Sequence, residues 1–158
     1  MKSFLLSALK RTSASGRDAF NKQHAGEWLV WEAGVWKAPR LSTLVLGSVA
    51  DAALVTPAKG AETLAIALPA QLTVTVGRSR DVDVELNDGT LSGHHFSLFC
   101  TAGRWSIEDL GSTNGTTVEG LKLKAGERMP LRNGSAIKAG QVTLTFQSSE
   151  GLWQRLVS

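Results

Sequence analysis

Residues Leu91 to Val118 read L-S-G-H-H-F-S-L-F-C-T-A-G-R-W-S-I-E-D-L-G-S-T-N-G-T-T-V. Phe96 to Cys100 and Trp105 to Leu110 have the apolar and β-branched content of short strands, and Thr101-Ala102-Gly103 between them has hairpin chemistry and length. Asp109 to Thr116 is dense in residues that tolerate positive φ and bond their own backbone, which predicts a rigid turn. Just upstream, Leu72-Thr73-Val74-Thr75-Val76 alternates apolar and hydroxyl side chains as a half-buried strand does, and Gly77 ends it. Arg78 is therefore expected at a strand mouth, with Ser92 and Asn114 on loops at the same end. Rigid loops on a β scaffold are where binding residues sit.

A guanidinium, two hydroxyls and an amide on converging loops suit a tetrahedral dianion attached to a peptide. Arginine presents a planar donor fork matched to phosphate, and such charge-assisted bonds are roughly twice as strong as neutral ones. Arg78 taken alone reads as a common solvated cation, and Ser-Thr-Asn-Gly alone as an ordinary turn. Ser92, His95 and Asp109 could also be read as a nucleophile, base and orienting acid, although such a triad needs an oxyanion site as well. Only the co-occurrence of the loops is specific.

At these residues the chain resembles the forkhead-associated (FHA) domain. The resemblance rests on Gly77-Arg78, Ser92-Gly93-His94-His95 and Asp109 to Thr116, in the family's order and at family-like spacing. Secondary agreements are Asp83-Val84, Glu119-Gly120, and Leu131 to Gly134 leading into Ala136-Ile137 and Gly140. It covers about residues 64–146. The resemblance implies an all-β sandwich of two antiparallel sheets that binds phosphothreonine peptides without catalysis or cofactor. It implies that Arg78, Ser92 and Thr113 contact phosphate, with Gly93 beside them, and that Asn114 bonds the peptide backbone. It implies too that Gly77, His95, Gly111, Ser112 and Gly115 support the site, His95 by bracing the serine loop.

The chain departs from the family pattern at several positions. A basic or amide residue that often follows the serine is Gly93 here, so one contact is expected to be missing, with His94 or Arg80 as auxiliary replacements. Glu119 stands for the usual asparagine of the later turn, and Ser135 for a common aspartate. Thr90 occupies a position where some members carry a basic residue that selects an acidic side chain three residues after the phosphothreonine. A non-acidic preference is expected there.

The flanking sequence divides the chain into an extension over 1–40, the sandwich over 41–148 and a tail over 149–158. The extension is expected to be partly helical, over Ser3–Lys10 and Gly16–His24, with a break between them. An apolar stripe of Phe4, Leu5, Ala8 and Leu9 would dock on the sandwich. Trp28, Trp31 and Trp36 lie in a segment expected to form a strand, a turn near Ala33-Gly34 and a return strand. So much aromatic area is costly to expose, which predicts packing on the core. Further strands are expected at Leu41–Leu46 and Thr63–Leu68, joined by a long connection rich in Ala, Gly and Pro.

Composition fits a soluble globular chain: 158 residues, 42% hydrophobic and 20% charged. Residues 1–40 hold seven Lys or Arg against three acids and the rest ten against eleven, so the net +3 comes from the N-terminal part. Its cations are spread among apolar residues, which reads as a solvated face and not as a nucleic-acid or membrane surface. No apolar run approaches a membrane span or a signal peptide, and Cys100 is the only cysteine, which together predict a cytoplasmic protein. His24, His94 and His95 lack zinc spacing with Cys100, and no P-loop lysine follows the glycines.

The expected partner is a phosphothreonine-containing protein, a Ser/Thr kinase or its substrate. One alternative is a phosphate-independent interaction module that uses the Trp-rich extension. Another is self-regulation through Thr12, which follows Lys10-Arg11.

Overall fold

Alternation along two neighbouring strands sets the layering. In β2 (Glu27–Trp31), Leu29 and Trp31 belong to one core cluster and Trp28 and Val30 to another; β3 (Leu64–Ala67) divides in the same way, Leu64 and Ile66 against Ala65. Both strands are therefore covered on both faces, and the run W-L-V-W is apolar without interruption for that reason. The computed structural model describes residues 2–32 and 63–157.

The remaining strands are β1 (Lys2–Leu5), β4 (Thr73–Gly77), β5 (Val84–Glu85), β6 (Phe96–Thr101), β7 (Arg104–Asp109), β8 (Thr116–Val118), β9 (Leu121–Lys122), β10 (Arg128–Leu131), β11 (Ser135–Ala139) and β12 (Val142–Ser148). They form a seven-stranded sheet in the order β1-β3-β2-β12-β11-β8-β9 and a five-stranded sheet in the order β10-β7-β6-β4-β5. Every pairing between these strands is antiparallel except β4 with β5, which is parallel. The main core fills the space between the sheets with Val74, Val76, Phe96, Leu98 and Ile107 from one and Leu29, Ile66, Ile137 and Leu144 from the other.

Helices α1 (Leu6–Thr12), α2 (Arg17–Gln23) and α3 (Ser149–Val157) form a third layer. Leu9, Phe20, Leu152 and Leu156 from them pack on Trp28, Val30 and Ala65. At one end of this layer the Glu32 carboxylate accepts from Arg155 Nη1 at 2.9 Å and from Thr145 Oγ1 at 2.5 Å, tying α3 to the sheet.

The N-terminal residues depart from expectation in one respect. Lys2–Leu5 is a strand paired with β3, and the helix begins only at Leu6. Strand pairing satisfies the backbone of Phe4 and Leu5 while placing Leu5 in the main core and Phe4 against the second cluster. The helix expected after the break is present as α2, and Ser13–Ser15 forms a short 3-10 turn. Trp28 and Trp31 are each 2% exposed, so neither offers an aromatic surface to a partner. Trp36, the turn at Ala33-Gly34, the strand at Leu41–Leu46 and the 40/41 boundary lie outside the described residues. No described helix is long and apolar enough to cross a membrane.

Candidate functional site

The close approach of two loops starts the site. Gly77 closes β4, and the backbone then bonds across to the serine loop: Arg78 N donates to Ser92 O at 3.0 Å and Ser79 N to Gly93 O at 3.1 Å. A Cβ on Gly77 would stand 2.1 Å from Gly93 O, so only glycine allows this contact. Arg78 is thereby set beside Ser92.

His95 ties three segments together. It is fully buried, its N–H donates to Val76 O, and its Nδ1 accepts from Ser92 N at 3.0 Å. Because Nδ1 accepts, the ring proton resides on Nε2, which donates to Gly115 O at 2.9 Å. Both ring nitrogens are thus occupied by backbone groups and neither can take a proton from the Ser92 hydroxyl.

Asp109 organises the third loop. Its Oδ2 accepts from Gly111 N at 2.9 Å and Ser112 N at 3.0 Å, and its Oδ1 from Ser112 Oγ at 2.5 Å and Thr116 Oγ1 at 2.7 Å. Burial alone would raise the carboxyl pKa, but the bonds from Ser112, Thr116 and Gly111 outweigh it and hold the group below the ordinary aspartate range. Gly111 and Gly115 take φ of 76° and 82° in this turn, which favours glycine at both. Ser112 Oγ also accepts from Gly115 N at 3.0 Å. With its acceptors filled in this way, Asp109 is a turn brace and not the third member of a catalytic triad.

The loops then join. Thr113 N donates to Ser92 Oγ at 2.9 Å, which leaves the Ser92 hydroxyl hydrogen free to point outward. Asn114 Nδ2 donates to Thr90 O at 2.7 Å. Thr90 in turn donates from N and Oγ1 to Asp88 Oδ1 at 2.8 and 2.5 Å, and its Oγ1 accepts from Gln141 N at 2.9 Å. The result is an open cavity of about 370 Å³ lined by Arg78, Gly89, Thr90, Leu91, Ser92, Gly93, Thr113 and Asn114.

All five residues expected to meet the phosphopeptide thus line one cavity, and Gly77, His95, Gly111, Ser112 and Gly115 lie behind or beside it. The auxiliary residues divide. Thr90 lines the cavity with its hydroxyl already engaged. His94 Nε2 instead lies 3.2 Å from Asp81 Oδ2, and neither His94 nor Arg80 lines the cavity. Asp81 is held low by the Ser79 hydroxyl first, with His94 contributing. The guanidinium of Arg78 is exposed and has no hydrogen-bond or ion-pair partner among the described residues. Gly89, Leu91 and the brace Asp88 were not singled out from sequence; the Asp-x-Thr spacing of an Asx turn before Ser92 is the signal that marks them.

Residues 74–140 match the family model of the FHA domain, and this segment is an FHA domain. FHA domain-containing protein FhaB of Mycobacterium tuberculosis is 32% identical over 74 residues, covering 47% of this chain and 46% of that protein. The glycogen accumulation regulator GarA of Mycolicibacterium smegmatis is 33% identical over 76 residues, 48% of this chain and 46% of that one. The chain therefore spans about half the length of these curated relatives. The solution structure of the FHA domain of an Arabidopsis thaliana hypothetical protein superposes with a TM-score of 0.52 at 24% identity, over 78% of this chain and 86% of that one, and shows the shared fold.

Proposed function

We propose that this chain is a non-catalytic, cytoplasmic adaptor that binds phosphothreonine on a partner protein in a Ser/Thr kinase pathway. The observation that carries this reading is the cavity that gathers Arg78, Ser92, Thr113 and Asn114, with a guanidinium that has no partner among the described residues and a serine hydroxyl hydrogen left free beside it.

A phosphothreonine brings about −1.5 to −2 charges and three acceptor oxygens at pH 7. Arg78 meets that charge, while Ser92 and Thr113 donate to the oxygens from positions fixed by backbone bonds. Donors held in advance lose little freedom on binding, which favours a specific anion over bulk phosphate. Asn114, held over Thr90 by one amide hydrogen, keeps its carbonyl oxygen and second hydrogen for the peptide backbone. Removing the phosphate leaves these donors without a ligand. His95 is not available as a catalytic base, since both its ring nitrogens are engaged by backbone groups, which supports a binding role.

The test is an oriented peptide library bound to the full chain, with threonine at the fixed position phosphorylated, unphosphorylated or replaced by phosphoserine. Retention of the phosphothreonine pool alone supports the reading. Equal retention of the unphosphorylated pool overturns it.

A further inference from the structure

The helices cover only part of the outer face of the seven-stranded sheet. Their cluster is built on β2 and β3, with α3 also against β12. On the side that no described helix covers, register places Thr143 opposite Lys138, Lys138 opposite Thr117, and Thr117 opposite Lys122. Ile137 and Ala139 point into the main core on either side of Lys138, and Val118 does so next to Thr117, so this row faces outward. Lys138 and Lys122 are both exposed, about 10 Å apart across two strand spacings. Neither has an ion-pair or hydrogen-bond partner among the described residues.

This row runs up to the phosphate loops. Lys122 lies against the Asn114-Gly115 turn: a Cβ on Gly115 would be 3.2 Å from Lys122 Cε and 3.8 Å from its Nζ. Thr117, between the two lysines, is two residues past Gly115, on the strand that begins directly after that turn. The acid nearest in sequence, Glu119, turns away and uses its carboxylate to accept from Ala136 N at 2.9 Å. Two ammonium groups without a countercharge among the described residues thus lie on the sheet face next to the Asn114-Gly115 turn, Lys122 against the turn itself and Lys138 one strand beyond Thr117.

We propose that Lys122 and Lys138 select acidic residues in the stretch of ligand that leaves the cavity over Asn114 and Gly115. The inference rests on the reading of the cavity as a phosphothreonine site. A segment held at its phosphate and passing over Asn114 has little choice but to cross the lysine row, and carboxylates there supply the missing countercharge. The acidic selectivity that Thr90 fails to provide at its own position is then supplied from the neighbouring sheet face. The contact is exposed, so it tunes affinity and does not create it.

The test uses the full chain and three synthetic phosphothreonine peptides: alanine flanks, three glutamates before the phosphothreonine, and three after it. One acidic peptide is expected to bind roughly fivefold tighter than the alanine peptide at low salt, with the advantage shrinking as salt rises. In Lys122→Gln/Lys138→Gln that ratio should fall to one, and in Lys122→Arg/Lys138→Arg it should persist. Three peptides of equal affinity, or an acidic preference unaltered in the glutamine variant, overturn this inference and leave the phosphothreonine reading standing. Failure of all three peptides to bind overturns both.

Discussion

Gly77 and Gly93 pack backbone to backbone, with so little space that a methyl group on Gly77 would lie 2.1 Å from Gly93 O and 2.8 Å from its carbonyl carbon. The asymmetry between the two is informative. A Cβ on Gly93 meets only Ser79 Cβ, at an ordinary 3.5 Å. The first glycine is demanded by geometry, whereas the second is open to a side chain.

Gly77→Ala should force the serine loop away from β4. We expect a loss of about 1–3 kcal/mol of stability, typical of overpacking against a fixed neighbour, together with weakened phosphopeptide binding because Ser92 shifts relative to Arg78. Gly93→Ala should leave the thermal midpoint nearly unchanged. Thermal unfolding of the two variants side by side checks the contrast.

Gly93→Arg should add a second guanidinium at the cavity without a steric penalty. Affinity for a phosphothreonine peptide is expected to rise by about 0.5–1.5 kcal/mol, within the range of a partly exposed charge-assisted contact. Titration of the same peptide into both proteins at matched salt measures it; unchanged affinity with an intact fold would show that the missing family contact is not recoverable at this position.

Asp109 gives the fold an acid-sensitive element. Its carboxyl is held below the ordinary aspartate value by the Ser112, Thr116 and Gly111 bonds, against the opposing effect of burial. The sign follows: the unfolded state binds the proton more readily, so this stabilisation is complete above about pH 4 and is lost as pH falls through the lower folded value. Asp109→Asn should be destabilised by about 1–3 kcal/mol at pH 7 and show a shallower loss of stability between pH 5 and 3. Urea unfolding across that range reads both effects.

Ala102 pairs with Gly103 in the two-residue turn between β6 and β7, at φ of 51° and 76°. Such turns favour Asn-Gly because both central residues take positive φ. Ala102→Asn should therefore stabilise the protein by about 0.5–1 kcal/mol. It lies far along the hairpin from Phe96 and should leave peptide affinity unchanged; a denaturant midpoint that fails to rise would count against the turn assignment.

The loops that meet at the cavity were legible because their constraints are local. Gly77-Arg78, the serine-histidine step and the Asp-x-Gly-Ser-Thr-Asn-Gly turn each need particular residue types at short range, and the structure places Arg78, Ser92, Thr113 and Asn114 around one cavity. What escaped depends on pairing between distant segments. Lys2–Leu5 has helix-compatible composition, and only the antiparallel partner at Leu64–Ala67 makes it a strand. The W-L-V-W run was legible as a buried strand, and what pairing adds is its place between β3 and β12 with both faces covered. Lys122 is set opposite Thr117 and over Gly115 only by the register of β8 with β9. His94, an auxiliary candidate by adjacency to Gly93, is drawn instead to Asp81.

The central claim is that the Arg78 guanidinium, without a partner among the described residues, is the charge that makes binding depend on phosphate. Isothermal titration of one phosphothreonine peptide and its unphosphorylated form into wild type and Arg78→Ala tests it directly. The account predicts that wild type binds the phosphorylated peptide only, and that Arg78→Ala loses about 2–3 kcal/mol or more of that affinity with its thermal midpoint preserved. Equal binding of the two peptides by wild type, or undiminished binding by a folded Arg78→Ala, would contradict it.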